Sequence, residues 1–401
     1  MTIASRIKNS ATVFALHTFG NRFDGAFSIY LEQSPPNDYG PPELEFVTSD
    51  GVSVPVYRDY RYRAKAGWRY FRALEMLGEL DRRGQLTADE AVFFKRAIGT
   101  RTIAVTPAEA TAMARAVAKR RPELFIPESI DDPEAPVLMP EDEPLRKLVA
   151  FYAERHAAMF QQLAAAKVIQ LRPGASILEI GFTTGGHSTF AFESLGYRAS
   201  AMDNHYGGLI GESALHEINR RLLDSQVEFR LGDITRTAPF PDGSFDVVFS
   251  ASVLEHVLDL EAAFAEMYRL VKPGGAIIHN YSPYFCHDGG HALGVGDAPW
   301  AHVRMGVNEF LRYVDEQRPH EAVTTRDWFA SALHQDMPQW KVQRLVAAAG
   351  FRLAFWMAKP SAKRWLRDLT PDVVRECFAA MPGIGIDDLI SRSVSFVGIK
   401  P

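Results

Sequence analysis

Ile177-Leu-Glu-Ile-Gly-Phe-Thr-Thr-Gly-Gly186 is the stretch on which the reading of this chain turns. An apolar run stops at Gly181, and a helical pattern begins near His187. A strand that runs straight into a glycine-containing turn and then a helix lets a ligand approach the backbone closely, and the helix start offers unpaired N–H groups. A nucleotide-like ligand fits such a turn. Asp203 closes the next apolar run, 22 residues after Gly181. That spacing lets an acidic side chain take both hydroxyls of a ribose.

Working outward, short apolar runs alternate with helical patterns. A helix over about 145–170 precedes strands at 176–180, 198–202, 227–231 and 245–250, followed by 275–281, 351–357 and 394–399. Alternation of this kind predicts a parallel sheet covered by helices on both faces, with its ligand at the carboxyl ends of the strands near the switch point. Gly232-Asp233 ends the third strand. Phe245-Asp-Val-Val-Phe-Ser-Ala-Ser-Val-Leu-Glu-His-Val257 supplies the fourth and the turn after it, and Lys272-Pro-Gly-Gly275 reads as a tight turn into the fifth.

Glu179 two residues before Gly181, Asp203, Asp233, the Phe-Asp-Val-Val strand with Leu-Glu-His, and Lys-Pro-Gly-Gly stand in the order and spacing of a known family. Over about 145–401 the chain resembles the class I S-adenosylmethionine-dependent methyltransferases. The resemblance implies an α/β fold, a Rossmann-like seven-stranded sheet closed by an antiparallel hairpin, with an insertion at 360–392. It implies that Glu179, Gly181 and Gly185 shape the methionine side of a pocket for S-adenosyl-L-methionine. Asp203 would hold the ribose, Asp233 with Ile234 would flank the adenine, and Ser250 and Ser252 would lie along the sulfur side. Thr183 and Asn204 join this cofactor-binding set. Thr183 stands where the family usually has glycine, which bears on cofactor affinity.

Ser282-Pro-Tyr-Phe-Cys-His-Asp-Gly-Gly-His291 and Pro299-Trp-Ala-His302 follow the fifth strand directly. In this fold that loop overhangs the acceptor, so Tyr284, Asp288 and Trp300 are candidate substrate contacts. Methyl transfer is an in-line displacement, and the protein's task is to align and desolvate the acceptor. A hydroxyl acceptor must also lose its proton, which a histidine can take near neutral pH. His291 and His302 are the first candidates for that base, with His287 and His256 behind them. A metal held by His287, Asp288, His291 and His302 is conceivable from the residue types, but no metal is assigned. The expected activity is O-methylation of a small polar metabolite. N-methylation, a non-catalytic scaffold and a nicotinamide-dependent oxidoreductase are the alternatives; against the last, Thr183 replaces a glycine that a pyrophosphate needs.

The N-terminal part reads as a smaller α+β domain over 1–126. Alternating runs such as Ala26–Leu31 and Leu44–Val47 predict strands, with Asp50-Gly51 as a hairpin turn. Thr87-x-x-Glu90 and Thr106-Pro107-x-Glu109 mark helix starts. This domain would cap the substrate or form a homodimer contact. Basic and aromatic residues interleave from Tyr57 to Arg72, which fits the solvated face of an amphipathic helix. Residues 127–144 hold seven acidic residues, five prolines and no basic one, the composition of an exposed linker.

The 401 residues are 47% hydrophobic and 23% charged, which excludes a disordered or fibrous chain. A net charge of −5 gives no general attraction to phosphate backbones or anionic lipid, so neither nucleic acid nor membrane is an expected partner. The longest stretch without Asp, Glu, Lys or Arg, Pro273 to His287, has 15 residues, short of a membrane span. Two cysteines, Cys286 and Cys377, cannot build a disulfide framework. A cytoplasmic protein is expected.

Overall fold

A computed structural model describes residues 40–57, 67–99, 107–131, 136–182, 185–204, 210–287, 297–319 and 322–401, with Val105 and Gly289. In chain order its elements begin with β1 (Leu44–Val47), β2 (Ser53–Val56), α1 (Gly67–Arg82), α2 (Ala88–Gly99), α3 (Pro107–Arg120) and α4 (Asp142–Ala165). The sheet region follows as β3 (Ser176–Ile180), α5 (His187–Ser194), β4 (Arg198–Asp203), α6 (Ile210–Leu222), β5 (Glu228–Leu231), β6 (Phe245–Ala251), α7 (Leu260–Leu270) and β7 (Val271–Tyr281). After it come α8 (Ala301–Arg304), α9 (Gly306–Gln317), α10 (Ala322–Ser331), α11 (Gln339–Ala348), β8 (Arg352–Pro360), α12 (Lys363–Leu366), α13 (Pro371–Ala380), α14 (Ile386–Ile390) and β9 (Ser391–Ile399).

Seven strands form one sheet in the order β5-β4-β3-β6-β7-β9-β8. The first five run parallel, and β9 pairs antiparallel with both β7 and β8. This is the Rossmann-like seven-stranded sheet, closed by an antiparallel hairpin, expected from the sequence. β3 is buried at all its positions, as a central strand covered on both faces requires. Strand order reverses between β3 and β6, and ligands of such sheets bind at that point. On one face α7, N-capped by Asp259 through Ala262 N–H at 3.0 Å, lays Leu260, Ala263, Phe264, Met267 and Leu270 into the main core. On the other, α4 and α5 cover Ile177, Phe192, Val247 and Ile278.

Lys272-Pro-Gly-Gly275 differs from its reading as a turn. β7 begins at Val271, and the pairing register jumps from Phe245↔Val271 to Val247↔Ala276, so these residues form a bulge within the strand. Gly274 N–H reaches Lys400 O at 2.9 Å, and Lys272 pairs with Asp246 at 2.7 Å.

Part of the 127–144 stretch, expected as an exposed linker, is packed, with Ser129 and Val137 buried. Phe125 and Leu138 form a β-bridge, Ile126 N–H bonds Val137 O at 2.9 Å, and Ser129 is buried with its hydroxyl on Ile126 O. The apolar residues between the acidic ones drive this, since a buried backbone must satisfy its polar groups. The Thr87/Glu90 capping box forms as read, with Thr87 N–H on the Glu90 carboxylate at 2.8 Å and Glu90 N–H on Thr87 Oγ1 at 3.3 Å. Residues 26–31, Thr106 and 58–66 lie outside the described residues.

The hairpin and the helices of the N-terminal part pack into different cores. Leu77, Leu80, Phe94, Val117 and Phe125 of α1–α3 and the turn after them form one. Phe46, Val54 and Val56 of the hairpin instead join Tyr284, Trp300, Phe310, Leu366 and Leu389 in a second core. Residues 284–333 leave the end of β7 and residues 361–390 connect β8 to β9, so this second core sits over the carboxyl edge of the sheet. Among the described residues no helix is long and apolar enough to cross a membrane.

Candidate active site

Gly181 has φ of +73° and Gly185 of +96°, backbone that side-chain-bearing residues rarely adopt. A Cβ at Gly181 would enter the Val253 side chain, and one at Gly185 would lie 2.6 Å from Asn219 Nδ2. Gly181 and Gly185 therefore stay without side chains by necessity, and Gly186 N-caps α5, whose first N–H groups have no intrahelical partner. Thr183 and Thr184 lie outside the described residues. Beneath the turn Glu179 is buried and accepts the hydroxyl of Thr189. Burial pushes its carboxyl up to about 7, while the Thr189 and Ser188 hydroxyls pull it down and the charge of Asp203 adds to the rise.

Asp203 ends β4 beside this turn, because β3 and β4 are neighbours and Gly181 N–H bonds Met202 O at 2.8 Å. Asp203 is buried, its carbonyl takes Gly232 N–H at 2.9 Å, and Asn204 next to it is exposed. Asp233 holds its own turn: Oδ1 accepts Thr235 N–H at 2.9 Å and Thr235 Oγ1 at 2.8 Å. Ile234 is buried in the main core. Both thus serve local structure at the end of β5.

Ser250 at the end of β6 is buried and hydrogen-bonded to His279 Nδ1 at 2.6 Å. Ser252 is exposed, has φ of +56°, and donates its N–H to Asn280 O at 2.8 Å. Glu255 is buried; Oε1 accepts Ser282 N–H at 3.1 Å, and burial pushes the carboxyl up to about 7. His256 is half-buried, with Nδ1 2.6 Å from Ala332 O, which makes Nδ1 the protonated nitrogen. Burial lowers its pKa, and Trp328 stands edge-on at 5.1 Å.

The cluster after β7 is drawn into the second core. Tyr284 and His302 bond each other's carbonyls, Tyr284 OH to His302 O at 3.2 Å and His302 Nε2 to Tyr284 O at 3.0 Å. His287 is buried, bonded to Ser361 Oγ at 3.1 Å and stacked on Trp365 at 4.8 Å. Trp300 is buried with Nε1 on Leu389 O at 3.3 Å. His302, His287, Tyr284 and Trp300 are therefore interior residues whose polar atoms brace the cap. Asp288 and His291 lie outside the described residues. Among the described residues no three His, Cys, Asp or Glu side chains gather as a metal site. Cys286 and Cys377 are buried thiols.

Two parts of this arrangement had no motif to announce them. His279 ties Ser250 across β6 and β7, and the only signal is a polar residue in the apolar run Ala276–Tyr281. Asn219 of α6 donates to Gly185 O at 2.9 Å. Leu215, Ile218 and Leu222 look like the inner stripe of that helix, yet Leu222 is 36% exposed while His216 and Asn219 are buried.

Residues 178–279 match the family model of a methyltransferase domain. Over 111 residues the chain is 29% identical to a phosphoethanolamine N-methyltransferase from Triticum aestivum, covering 28% of this chain and 21% of that protein. It is 30% identical over 107 residues to a sterol 24-C-methyltransferase from Gibberella zeae, 27% of each chain. It is 33% identical over 141 residues to a malonyl-[acyl-carrier protein] O-methyltransferase from Serratia marcescens, 35% of this chain and 49% of that protein. The similarity thus spans from about a fifth to about half the length of these relatives.

Proposed function

We propose, from the premise that residues 178–279 form a class I S-adenosylmethionine-dependent methyltransferase domain, that the protein O-methylates a small polar metabolite. The observation that carries this is the meeting of Glu179, the Gly181–Gly186 turn, Asp203 and Ser250–Ser252 at the carboxyl edge of β3, β4 and β6, where strand order reverses. The turn, with glycine at 181, 185 and 186, and the acidic groups around it fit this cofactor's ammonium and ribose hydroxyls. Bound there, it supplies a methyl group activated on a sulfonium. Glu179, Gly181, Thr183 and Gly185 hold the methionine part, Asp203 and Asn204 the ribose, Asp233 and Ile234 the adenine end, and Ser250 and Ser252 the sulfur side.

The second core then closes over the carboxyl edge, excludes water and orients the acceptor, with Asp288 from its loop as a polar contact. His256 takes the acceptor's proton. It follows the sulfur-side strand by five residues, its Nδ1–H is fixed on Ala332 O so that Nε2 is the basic nitrogen, and its lowered pKa keeps it neutral near pH 7. His291 of the loop is the second candidate.

The test is transfer of labelled methyl from S-adenosylmethionine to panels of hydroxylated and amino metabolites, beside calorimetric titration with S-adenosylhomocysteine. Expected are saturable binding, lost in Asp203→Ala, and a methyl ether product whose rate drops about 100-fold in His256→Ala. Label confined to nitrogen would overturn the choice of acceptor atom, and absence of binding would overturn the reading altogether.

A further inference from the structure

Asn219 is wholly buried in α6, yet among the described residues its amide is only half satisfied. Nδ2 donates to Gly185 O at 2.9 Å and lies 3.5 Å from His187 Nε2, whereas Oδ1 accepts no hydrogen bond among the described residues. A buried amide oxygen without a donor costs stability, and a leucine of similar volume would remove that cost. Packing of α6 therefore does not account for the asparagine. Its one full hydrogen bond, to the glycine turn, does.

The match between the two residues is close. Gly185 must be glycine because a Cβ there would meet Asn219 Nδ2 at 2.6 Å and the His187 ring at 3.2 Å. Gly186 is held in the same way by Phe229 of β5, 2.7 Å from where its Cβ would be. His187, kept neutral by burial with its pKa at about 4, stacks on Tyr152 of α4. Through Asn219 the helix that follows the Asp203 strand grips the far end of the turn that follows the Glu179 strand.

We propose that Asn219 is a positioning residue that sets the course of the Gly181–Gly186 turn for the methionine part of the cofactor, an inference that rests on the methyltransferase reading above. Gly185 and Gly186, the far end of that turn, are thus held from outside it, by side chains of a neighbouring helix and strand. With the Asn219 donor removed, the Gly185 carbonyl and the first N–H groups of α5 lose their fixed orientation. The adenosine end, held from β4, keeps its own.

The experiment compares calorimetric affinities of the full chain for S-adenosylhomocysteine and for adenosine in wild type and Asn219→Leu, with thermal unfolding of both proteins. Expected is roughly tenfold weaker binding of S-adenosylhomocysteine, about the worth of one buried hydrogen bond, with adenosine affinity within about twofold. Equal affinity of variant and wild type for S-adenosylhomocysteine would overturn the proposal. So would equal loss for both ligands, which marks a merely structural role. If Asn219→Leu does not fold, Asn219→Ser carries the same expectations. Wild type that binds neither ligand would overturn the methyltransferase reading and this inference with it, whereas wild type that binds beside an unaffected variant overturns the inference alone.

Discussion

Glu179 and Glu255 are both buried carboxyls pushed up to about 7, and both accept hydrogen bonds from chain segments at the sheet's carboxyl edge. Only the first was legible as a ligand residue, because it stands two positions before Gly181. Glu255 fastens the start of the loop after β7 through Ser282 N–H, and its own carbonyl takes His334 N–H at 2.8 Å. A carboxyl with a raised folded pKa holds its proton in the folded state where the unfolded chain has released it. Stability is thus lost as pH rises from about 4.5 to about 7. Asn219 and His279 stayed illegible at this scale because each acts across strands or helices far apart in sequence. For Glu255→Gln, the stability of the variant relative to wild type is expected to climb by about 2 kcal/mol between pH 5 and pH 7.5, read from urea unfolding at each pH. A flat difference would mean that Glu255 does not titrate in that window.

The glycine turn shows what an element adds to its residues. β3 and the start of α5 were readable from apolar runs and from where they stop, as were the other strands, since a buried parallel sheet forces apolar sequence. The course of the turn between them was not, because it depends on Val253, Asn219 and Phe229 arriving from other elements. Gly181→Ala should place a methyl group inside the Val253 side chain on backbone of positive φ. The expected cost is about 2 kcal/mol or more of stability together with loss of S-adenosylhomocysteine binding, measured by urea unfolding and calorimetry. Retention of both would show that the turn has room to spare. Lys272–Gly275 was misread for a related reason: glycine and proline mark irregular backbone, but whether that backbone is a turn or a bulge is decided by its partner strand.

At the scale of the whole molecule, two sets of buried groups oppose each other in pH. Glu179, Glu255 and Asp388 are pushed up to about 7, chiefly by burial. His156 and His187 are pushed down to about 4 and His279 to about 3, and His216, His256 and His334 are lowered as well, all chiefly by burial. The histidines must stay neutral in the fold, so acidification below about 6.5 favours the unfolded chain, which takes up their protons. The carboxyls act in the opposite sense up to about 7. Among the described residues six histidines outweigh three carboxyls below pH 6, whereas above 6.5 the histidine share fades as the unfolded chain's histidines lose their protons and the carboxyl share persists to about 7. Thermal stability is therefore expected to peak near pH 6.5, and a scan rising steadily to pH 8 would contradict this balance.

The second core draws on residues that lie far apart in the order of synthesis. Phe46 packs with Leu389, and Arg312 donates to Val47 O across 265 positions of sequence. Loop closure of that length is slow to find, and β9, which seals the sheet, is made after the other described strands. The hairpin thus emerges before the other described elements and waits longest for its neighbours. During synthesis β3 to β6 are complete while the residues that cover their carboxyl edge do not yet exist, so the fold gains an open cleft before it gains the cover over it.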